Sequence, residues 1–262
     1  MDTESFRSFL QAQNLAVKTV SLHVKLVSDY LDRFGEITSD ISKTIKNIMK
    51  ESTLSKSRSL IGSVSKYYQY AGFDNQGLVD YMQVINTKYD KELAEKRKDM
   101  ASDETLPTIA ELKEKMNDLY EAADYRGYVV LFLLLQYQVR NQDMVASVVS
   151  SKKETNKELN WFVVRDGSVL WIRNKYKTAF SYGPKEHIIK HKKFRHAISN
   201  LDHVLKPEDN IFRIITNATG GITETQMMKI FMREANTMNS IRKVAQNRGT
   251  STALLVSNYN IT

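Results

Sequence analysis

The segment YVVLFLLLQYQVRNQDMVASVV, residues 128 to 149, constrains the fold more than any other part of this chain. Its first eight residues, Tyr128 to Leu135, are apolar without interruption, so an element built from them has no face that can be left in water. They belong at the centre of a core, with other elements packed on every side. The run is far short of the roughly 20 residues that span a bilayer, so the core expected is that of a globular domain. The chain then turns polar and places Arg140 and Asp143 three residues apart before returning to Val and Ala. On a continuing helix those two share a face and pair, while Met144 and Val145 extend the packing. One reading of Arg140 is a surface salt bridge at a helix terminus. The other is a guanidinium held rigidly at the floor of a cleft, set for a bidentate contact to phosphate.

Charge favours a polyanionic partner. There are 38 Lys and Arg against 30 Asp and Glu, a formal excess of +8. A hydrophobic content of 42% argues for packed globular structure rather than disorder. With no cysteine, a disulfide framework and a thiolate metal site are both excluded. The opening MDTESFRSFLQAQ is polar and acidic before it is apolar, unlike a secretory signal. The expectation is a soluble intracellular protein with no membrane partner, in host cytoplasm or nucleus or in a nucleoid.

Organisation follows from periodicity. From Ser5 to about Met100 the apolar residues recur at helical spacing, with almost no strand signal. Phe6, Phe9 and Leu10 start one face; Val17, Val20, Leu22, Val24, Leu26, Val27, Tyr30 and Leu31 make a longer one that stops at Gly35. Ile41, Ile45, Ile48 and Met49 suggest a third helix. SKSRSLIGSVSKYYQYAG supplies a cap at Ser55 or Ser57 and a stop at Gly72, and a further helix covers Gln76 to about Lys98. Charged residues ending in Pro107 read as a connection, which divides the chain into domains 1–98 and 108–262 with a linker at 99–107. Thr108 and Glu111 then form a capping box. NWFVVRDGSVLWIRN is two β-branched and aromatic runs around Asp166-Gly167, a hairpin signal. A third strand is expected at His187 to Lys190, and helices at Phe194–Val204, Glu224–Glu234 and Met238 to about Asn247. The fold class is mainly α with a small antiparallel β-sheet.

Cations cluster after the hairpin. In RNKYKTAFSYGPKEHIIKHKKFRH, Arg173, Lys175, Lys177, Lys185, Lys190, Lys192, Lys193 and Arg195 are interleaved with Tyr176, Phe180, Tyr182 and three histidines. A solvated loop would look the same, but cations beside stacking-capable rings are what contact to a nucleic-acid backbone requires. Lys175, Tyr176, Lys190, Lys192, Lys193 and Arg195 are therefore candidate DNA contacts. Further on, MNSIRKVAQNR sets Arg242 on a helix whose Ile241 and Val244 face inward.

In this order, the pieces resemble the tyrosine recombinase (phage integrase) family, in particular divergent integrase-like members of viral and mobile elements. SFLQAQNLAVKTVSLHVKLVSDYLDRFG and SKSRSLIGSVSKYYQYAG are similar to the helices of the family's DNA-gripping core-binding domain, and the second half is similar to its catalytic domain. In QVRNQDMVAS, Arg140 matches the first catalytic arginine, with Asp143 at the acidic position. NKYKT resembles the turn that carries the catalytic lysine, matched by Lys177 or else Lys175. In NSIRK, Arg242 matches the arginine of a His-x-x-Arg box, although Asn239 stands where the box has His and Lys243 follows where another His is common. The nucleophile matches Tyr259 in LLVSNYNIT, nearer to Arg242 than the family pattern places it. The same stretch also aligns with a Leu-Gly-His-Ser element that precedes the nucleophile, and on that alignment the tyrosine is missing.

The resemblance implies a site-specific recombinase or integrase that breaks and rejoins double-stranded DNA through a covalent 3′-phosphotyrosine, acting as a dimer or tetramer on DNA. Its alternative is a catalytically inactive DNA-binding protein derived from one. A phenol with a pKa near 10 must lose its proton as it attacks, and fixed guanidinium groups suit the charge that develops on the phosphoryl oxygens. Arg140 and Arg242 would hold those oxygens, Lys177 would protonate the leaving 5′ oxygen, and Asn239 would donate a hydrogen bond to phosphate. No metal or other cofactor is implied. The sequence lacks an HExxH-like spacing, and GITETQ lacks the Gly-Lys-Ser/Thr ending of a nucleotide loop.

Overall fold

The computed structural model describes residues 2–101, 105–235 and 237–259. The chain forms two compact units, Met1–Arg97 and Lys98–Thr262. It is mainly helical with one small sheet, an α+β fold. Among the described residues no helix is long and apolar enough to cross a membrane.

The first unit is built from amphipathic helices whose ends are written in the local sequence. α1 (Thr3–Ala12) is capped by Asp2, whose carboxylate accepts from the backbone N–H groups of Glu4 and Ser5. α2 (Val17–Phe34) buries Val20, Val24, Val27 and Tyr30, one stripe at spacings of three and four. Val17 and Leu22, read from the sequence as part of that stripe, are 80% and 49% exposed. They lie off the buried arc, where packing rather than hydrophobicity decides the face. α3 (Ile41–Ile48) is capped by Asp40. α4 (Leu54–Ala71) is capped by Thr53, not by Ser55 or Ser57; both serines lie inside the helix, and Ser57 turns its hydroxyl back to the Thr53 carbonyl. Gly72 ends the helix in the left-handed region at φ 72°. α5 spans Gln76–Ala101, running into the segment expected as a linker. Phe6, Leu10, Ile48, Ile61, Val64, Tyr68 and Leu78 form the core of this unit. Tyr68 satisfies its buried hydroxyl through Thr44 at 2.9 Å and the Thr38 carbonyl at 2.6 Å.

In the second unit the capping box of Thr108 and Glu111 opens α6 (Ile109–Glu121). α7 (Tyr125–Tyr137) is the apolar run, and every residue from Gly127 to Leu135 is buried. A 3-10 turn (Asn141–Met144) leads to β1 (Ala146–Val149), β2 (Asn160–Arg165) and β3 (Ser168–Arg173). There follow α8 (Ala179–Tyr182), β4 (Lys185–Ile189), α9 (Lys192–Ile198), α10 (Ile211–Thr219), α11 (Glu224–Glu234), α12 (Met238–Arg248) and α13 (Thr252–Tyr259).

The sheet order is β1-β2-β3-β4. β2 and β3 form the expected hairpin, with Gly167 at φ 75° in the turn. β4 is antiparallel to β3, but β1 is parallel to β2, so the sheet is mixed rather than purely antiparallel. The reason lies in the connection: residues 150–159 form a crossover long enough to bring the chain back to the same end. The free edge of β1 is covered by residues 202–205, where Val148 N–H donates to Asp202 and Ala146 N–H to Leu205. The helix expected at Phe194–Val204 therefore stops at Ile198, because 202–205 are used as edge backbone. Strand alternation divides the side chains: Phe162, Val169, Trp171 and Ile189 join the core around α7, while Trp161, Val163, Leu170 and Ile172 form a smaller cluster.

Ile61→Ala, at a position with no exposure, is expected to cost the first unit about 2–5 kcal/mol in denaturant unfolding. Val17→Ala, on the same unit's surface, is expected to stay within about 0.5 kcal/mol of the parent.

Candidate functional site

The site begins where α7 stops. Gln138 takes φ 47° and ψ 36°, a left-handed residue that ends the helix before Arg140 is reached. Arg140 is therefore extended, at φ −84° and ψ 157°, and caps the 3-10 turn instead of continuing a helix. The Arg140–Asp143 side-chain pair expected on a shared helical face is not made. The Asp143 carboxylate accepts instead from the Arg140 backbone N–H at 3.1 Å. Its ionic partner is Arg173, from the end of β3, with Nη2 to Oδ2 at 2.6 Å and both side chains at 0% exposure. Arg173 is also sandwiched by rings, its guanidinium carbon 5.0 Å from the centroid of Trp171 and 4.9 Å from that of Tyr176. Burial raises the Asp143 pKa and lowers that of Arg173, each partly offset by the other's charge.

Freed from Asp143, the Arg140 side chain reaches the end of α12. The last carbonyls of a helix have no partner within it and carry the negative end of its dipole, so cations and donors gather there. Lys185 Nζ donates to the Gln246 carbonyl at 2.8 Å and Arg173 Nη1 to Asn247 at 3.0 Å. Arg140 Nη1 donates to Arg248, and the Thr178 hydroxyl to Gly249 at 2.7 Å. Gly249 is required here: its φ is 60°, and a Cβ would sit 2.6 Å from Thr178 Oγ1. The Arg248 side chain turns back to the carbonyls of Gln138, at 3.1 Å, and Val139, and pairs with Glu224. Glu224 also accepts from the Asn141 N–H at 3.0 Å.

Among the described residues, Arg140, Arg173, Lys185 and Arg248 thus meet two carboxylates, Asp143 and Glu224. Burial, then the neighbouring Arg248, holds the Arg140 pKa below its ordinary value; burial, then Arg173, does the same to Lys185. Both groups are cations that lose hydration and face like charge. An incoming anion would relieve both effects. Among the described residues no carboxylate forms an ion pair with Arg140 or Lys185.

The other sequence-derived candidates divide. Lys177 is exposed, in the turn just before α8. Lys175 is exposed and paired with Glu158 at 3.0 Å. Tyr176 is only 7% exposed; its hydroxyl donates to the Gly183 carbonyl at 2.6 Å and Arg173 and Lys185 lie over its ring, so it packs the site rather than offering a stacking face. Lys190 and Lys243 line one pocket of about 340 Å³ with Tyr137, His191 and Asn247. Lys192 is exposed, Lys193 pairs with Glu121 at 2.9 Å, and Arg195 lies 3.7 Å from Asp166. Asn239 and Arg242 are exposed on α12, and Arg242 is not among the charges acting on Arg140. The arginine of α12 that reaches the cluster is Arg248, six residues on and turned to another side of the helix. The Tyr259 side chain lies outside the described residues; its backbone closes α13.

Sequence reasoning passed over Arg248 and Glu224. Arg248 carried a signal, a basic residue in the last turn before a glycine stop. Glu224 carried none beyond its place in the first turn of α11, after the cap Thr223.

Comparison with protein-family models finds no match, and no curated protein matches the chain. Among solved structures, the chain is similar to one described as the crystal structure of XerA recombinase: 14% identical, covering 99% of this chain and 93% of that one, with a TM-score of 0.37.

Asp143→Asn, which strands a buried guanidinium, is expected to lower stability by about 3–5 kcal/mol in urea unfolding; the apolar double variant Asp143→Leu with Arg173→Met should lie closer to the parent than either single change. A pH effect is also expected at His187, which packs against Tyr137 and Trp171 with its Nε2 buried and unpaired. Burial, aided by Arg173 and Lys185, pushes its pKa from 6.5 down to about 4. The unfolded chain therefore takes up this proton first as acid is added. The contribution is whole above pH 6.5 and is lost as the pH falls toward 4. Denaturant titrations across that window should show a shallower loss of stability in His187→Phe than in the parent.

Proposed function

We propose that this chain is a DNA-binding protein of the tyrosine recombinase type, whose second unit holds a backbone phosphate of double-stranded DNA at Arg140 and Lys185 and breaks and rejoins the strand there. The observation that carries the reading is the convergence of Arg140, Arg173, Lys185 and Arg248, from four separate segments, around two carboxylates. Arg173 is consumed by Asp143, and Arg248 by Glu224 and backbone carbonyls. Arg140 and Lys185, both half-buried and, among the described residues, without an ion pair, are the two cations left for an anion. A guanidinium stays protonated even when partly buried and presents a fork that matches two phosphoryl oxygens.

In the strand-breaking step the Tyr259 phenol gives its proton to water as its oxygen bonds to phosphorus, the phosphorus–oxygen bond to the 5′ oxygen breaks, and the ammonium of Lys177 or Lys175 gives that oxygen a proton, regained from solvent afterwards. Arg140 stabilises the charge that develops on the non-bridging oxygens. The helical first unit grips the duplex in this reading, and two or four copies assemble on paired sites. A second reading, in which DNA is held but not cut, is favoured by two observations. Arg242 is exposed and apart from the Arg140 cluster, and Asn239 replaces the imidazole that would shuttle protons.

One experiment separates them. A duplex nicked just after the cleavage position should accumulate a covalent protein–DNA adduct on denaturing gels, lost in Tyr259→Phe and indifferent to chelator. Binding without adduct on any substrate supports the second reading. In either case Lys185→Gln should flatten the dependence of log affinity on log salt by about one unit, as expected for one phosphate contact removed. An unchanged slope refutes the phosphate site.

A further inference from the structure

Phe180 is wholly exposed, and it is one of two large aromatic side chains that project from the short segment between β3 and β4; the other is Tyr182, 56% exposed. A bare phenyl ring costs solubility and contributes nothing to the core. It is also not a loose one. The base of the segment is tied at both ends: the Thr178 hydroxyl donates to the Gly249 carbonyl at 2.7 Å, and the Tyr176 hydroxyl donates to the Gly183 carbonyl at 2.6 Å. Between these ties the backbone of α8 closes on itself, with Tyr182 N–H donating to Thr178 at 3.1 Å and Gly183 N–H to Ala179 at 2.8 Å. The ring is thus presented on a braced tip.

The surroundings of that tip are cationic. Lys177 is exposed two positions before Ala179, Lys175 is exposed two before that, and the Lys185 ammonium lies 5.8 Å from the centroid of Tyr182. Gly249, to which the tip is tied, directly follows Arg248, whose carbonyl holds Arg140. Phe180 follows Thr178 by two positions, so its Cα lies within about 7 Å of the Cα of the tied residue. With a phosphate at Arg140 and Lys185, a reach of that size covers about two base steps of a strand rising 3.4 Å per step.

We propose that Phe180 is an intercalating wedge, which enters between two stacked base pairs beside the bound phosphate and unstacks them; this rests on the reading that the cluster binds DNA. An apolar ring on a rigid, positively charged tip suits that occupant. The charges draw the tip to the backbone, and the ring finds in the base stack the apolar surface it lacks in the protein. A patch on which two copies of the chain met would instead bring Lys175, Lys177 and Lys185 against their own counterparts, a like-charge arrangement.

The test uses the full chain and a duplex carrying 2-aminopurine at successive positions across the bound region, with parent, Phe180→Ala and Phe180→Trp. The parent and the Phe180→Trp variant should raise the fluorescence at one or two adjacent positions. Phe180→Ala should abolish that rise and weaken binding on the order of 5- to 100-fold while leaving the salt slope unchanged, because no phosphate contact is lost. Thermal unfolding of all three proteins should coincide, since the ring is outside the core. Equal affinity and equal fluorescence profiles for parent and Phe180→Ala overturn the wedge. It is equally overturned if sedimentation of the DNA-free protein shows Phe180→Ala dissolving a dimer while each monomer binds DNA as the parent does. A parent that binds duplex with a Lys185-dependent salt slope yet unstacks no base defeats the wedge alone; a parent that binds no duplex defeats the DNA-binding reading with it.

Discussion

The end of α12 is the point on which the second unit's chemistry depends. Past Gln246, whose carbonyl accepts from the capping Gly249 N–H at 3.2 Å, the carbonyls of Asn247, Arg248 and Gly249 face no N–H of the helix itself, and a buried carbonyl left without a partner is costly. The chain answers with donors from three other places: Arg140 after α7, Arg173 at the end of β3, and Thr178 and Lys185 on either side of α8. One requirement for hydrogen bonds thereby draws three cations into a small volume. Asp143 and Glu224 balance part of that charge, and among the described residues no further carboxylate pairs with the cluster.

The break in α7 at Gln138 decides which cation is left over. Had the helix continued, Arg140 and Asp143 would have faced each other and cancelled. Because Gln138 is left-handed, Asp143 is turned toward Arg173, and Arg140 is carried to a neighbouring helix end where it meets a carbonyl dipole instead of a full negative charge. The arginine at the edge of the most buried segment is thus neither a plain surface salt bridge nor fully spent. The Arg173 guanidinium is enclosed by Trp171, Tyr176 and Asp143, while Arg140 and Lys185 donate to backbone carbonyls.

Much of the fold was legible because it is local. The cap at Thr108, the glycine stop at Gly72, the all-apolar α7 and the turn at Asp166-Gly167 each rest on interactions within a few residues. β1 was not legible: Ala146–Val149 is a four-residue piece continuous with an apolar run that reads as helix, and β2 and residues 202–205 flank it as a strand. α10 was missed for the opposite reason, since its cap Asn210 sits in a polar stretch that reads equally well as a loop. The site was half legible. The basic segment 173–195 was visible as composition, but whether a given member points inward or outward was not, and Tyr176 and Lys185 turned in while Lys177 and Lys192 did not.

By itself the sequence determined the helical character of the first unit, the burial of residues 128–135, the hairpin, and the excess of positive charge, because these follow from periodicity, capping and composition. Only the tertiary structure decided that Asp143 belongs to Arg173, that Arg248 rather than Arg242 joins Arg140, and that one sheet pair runs parallel. Those outcomes depend on which distant segments share the end of one helix. Ion pairing and strand pairing between such segments carry no period along the chain from which they could be read.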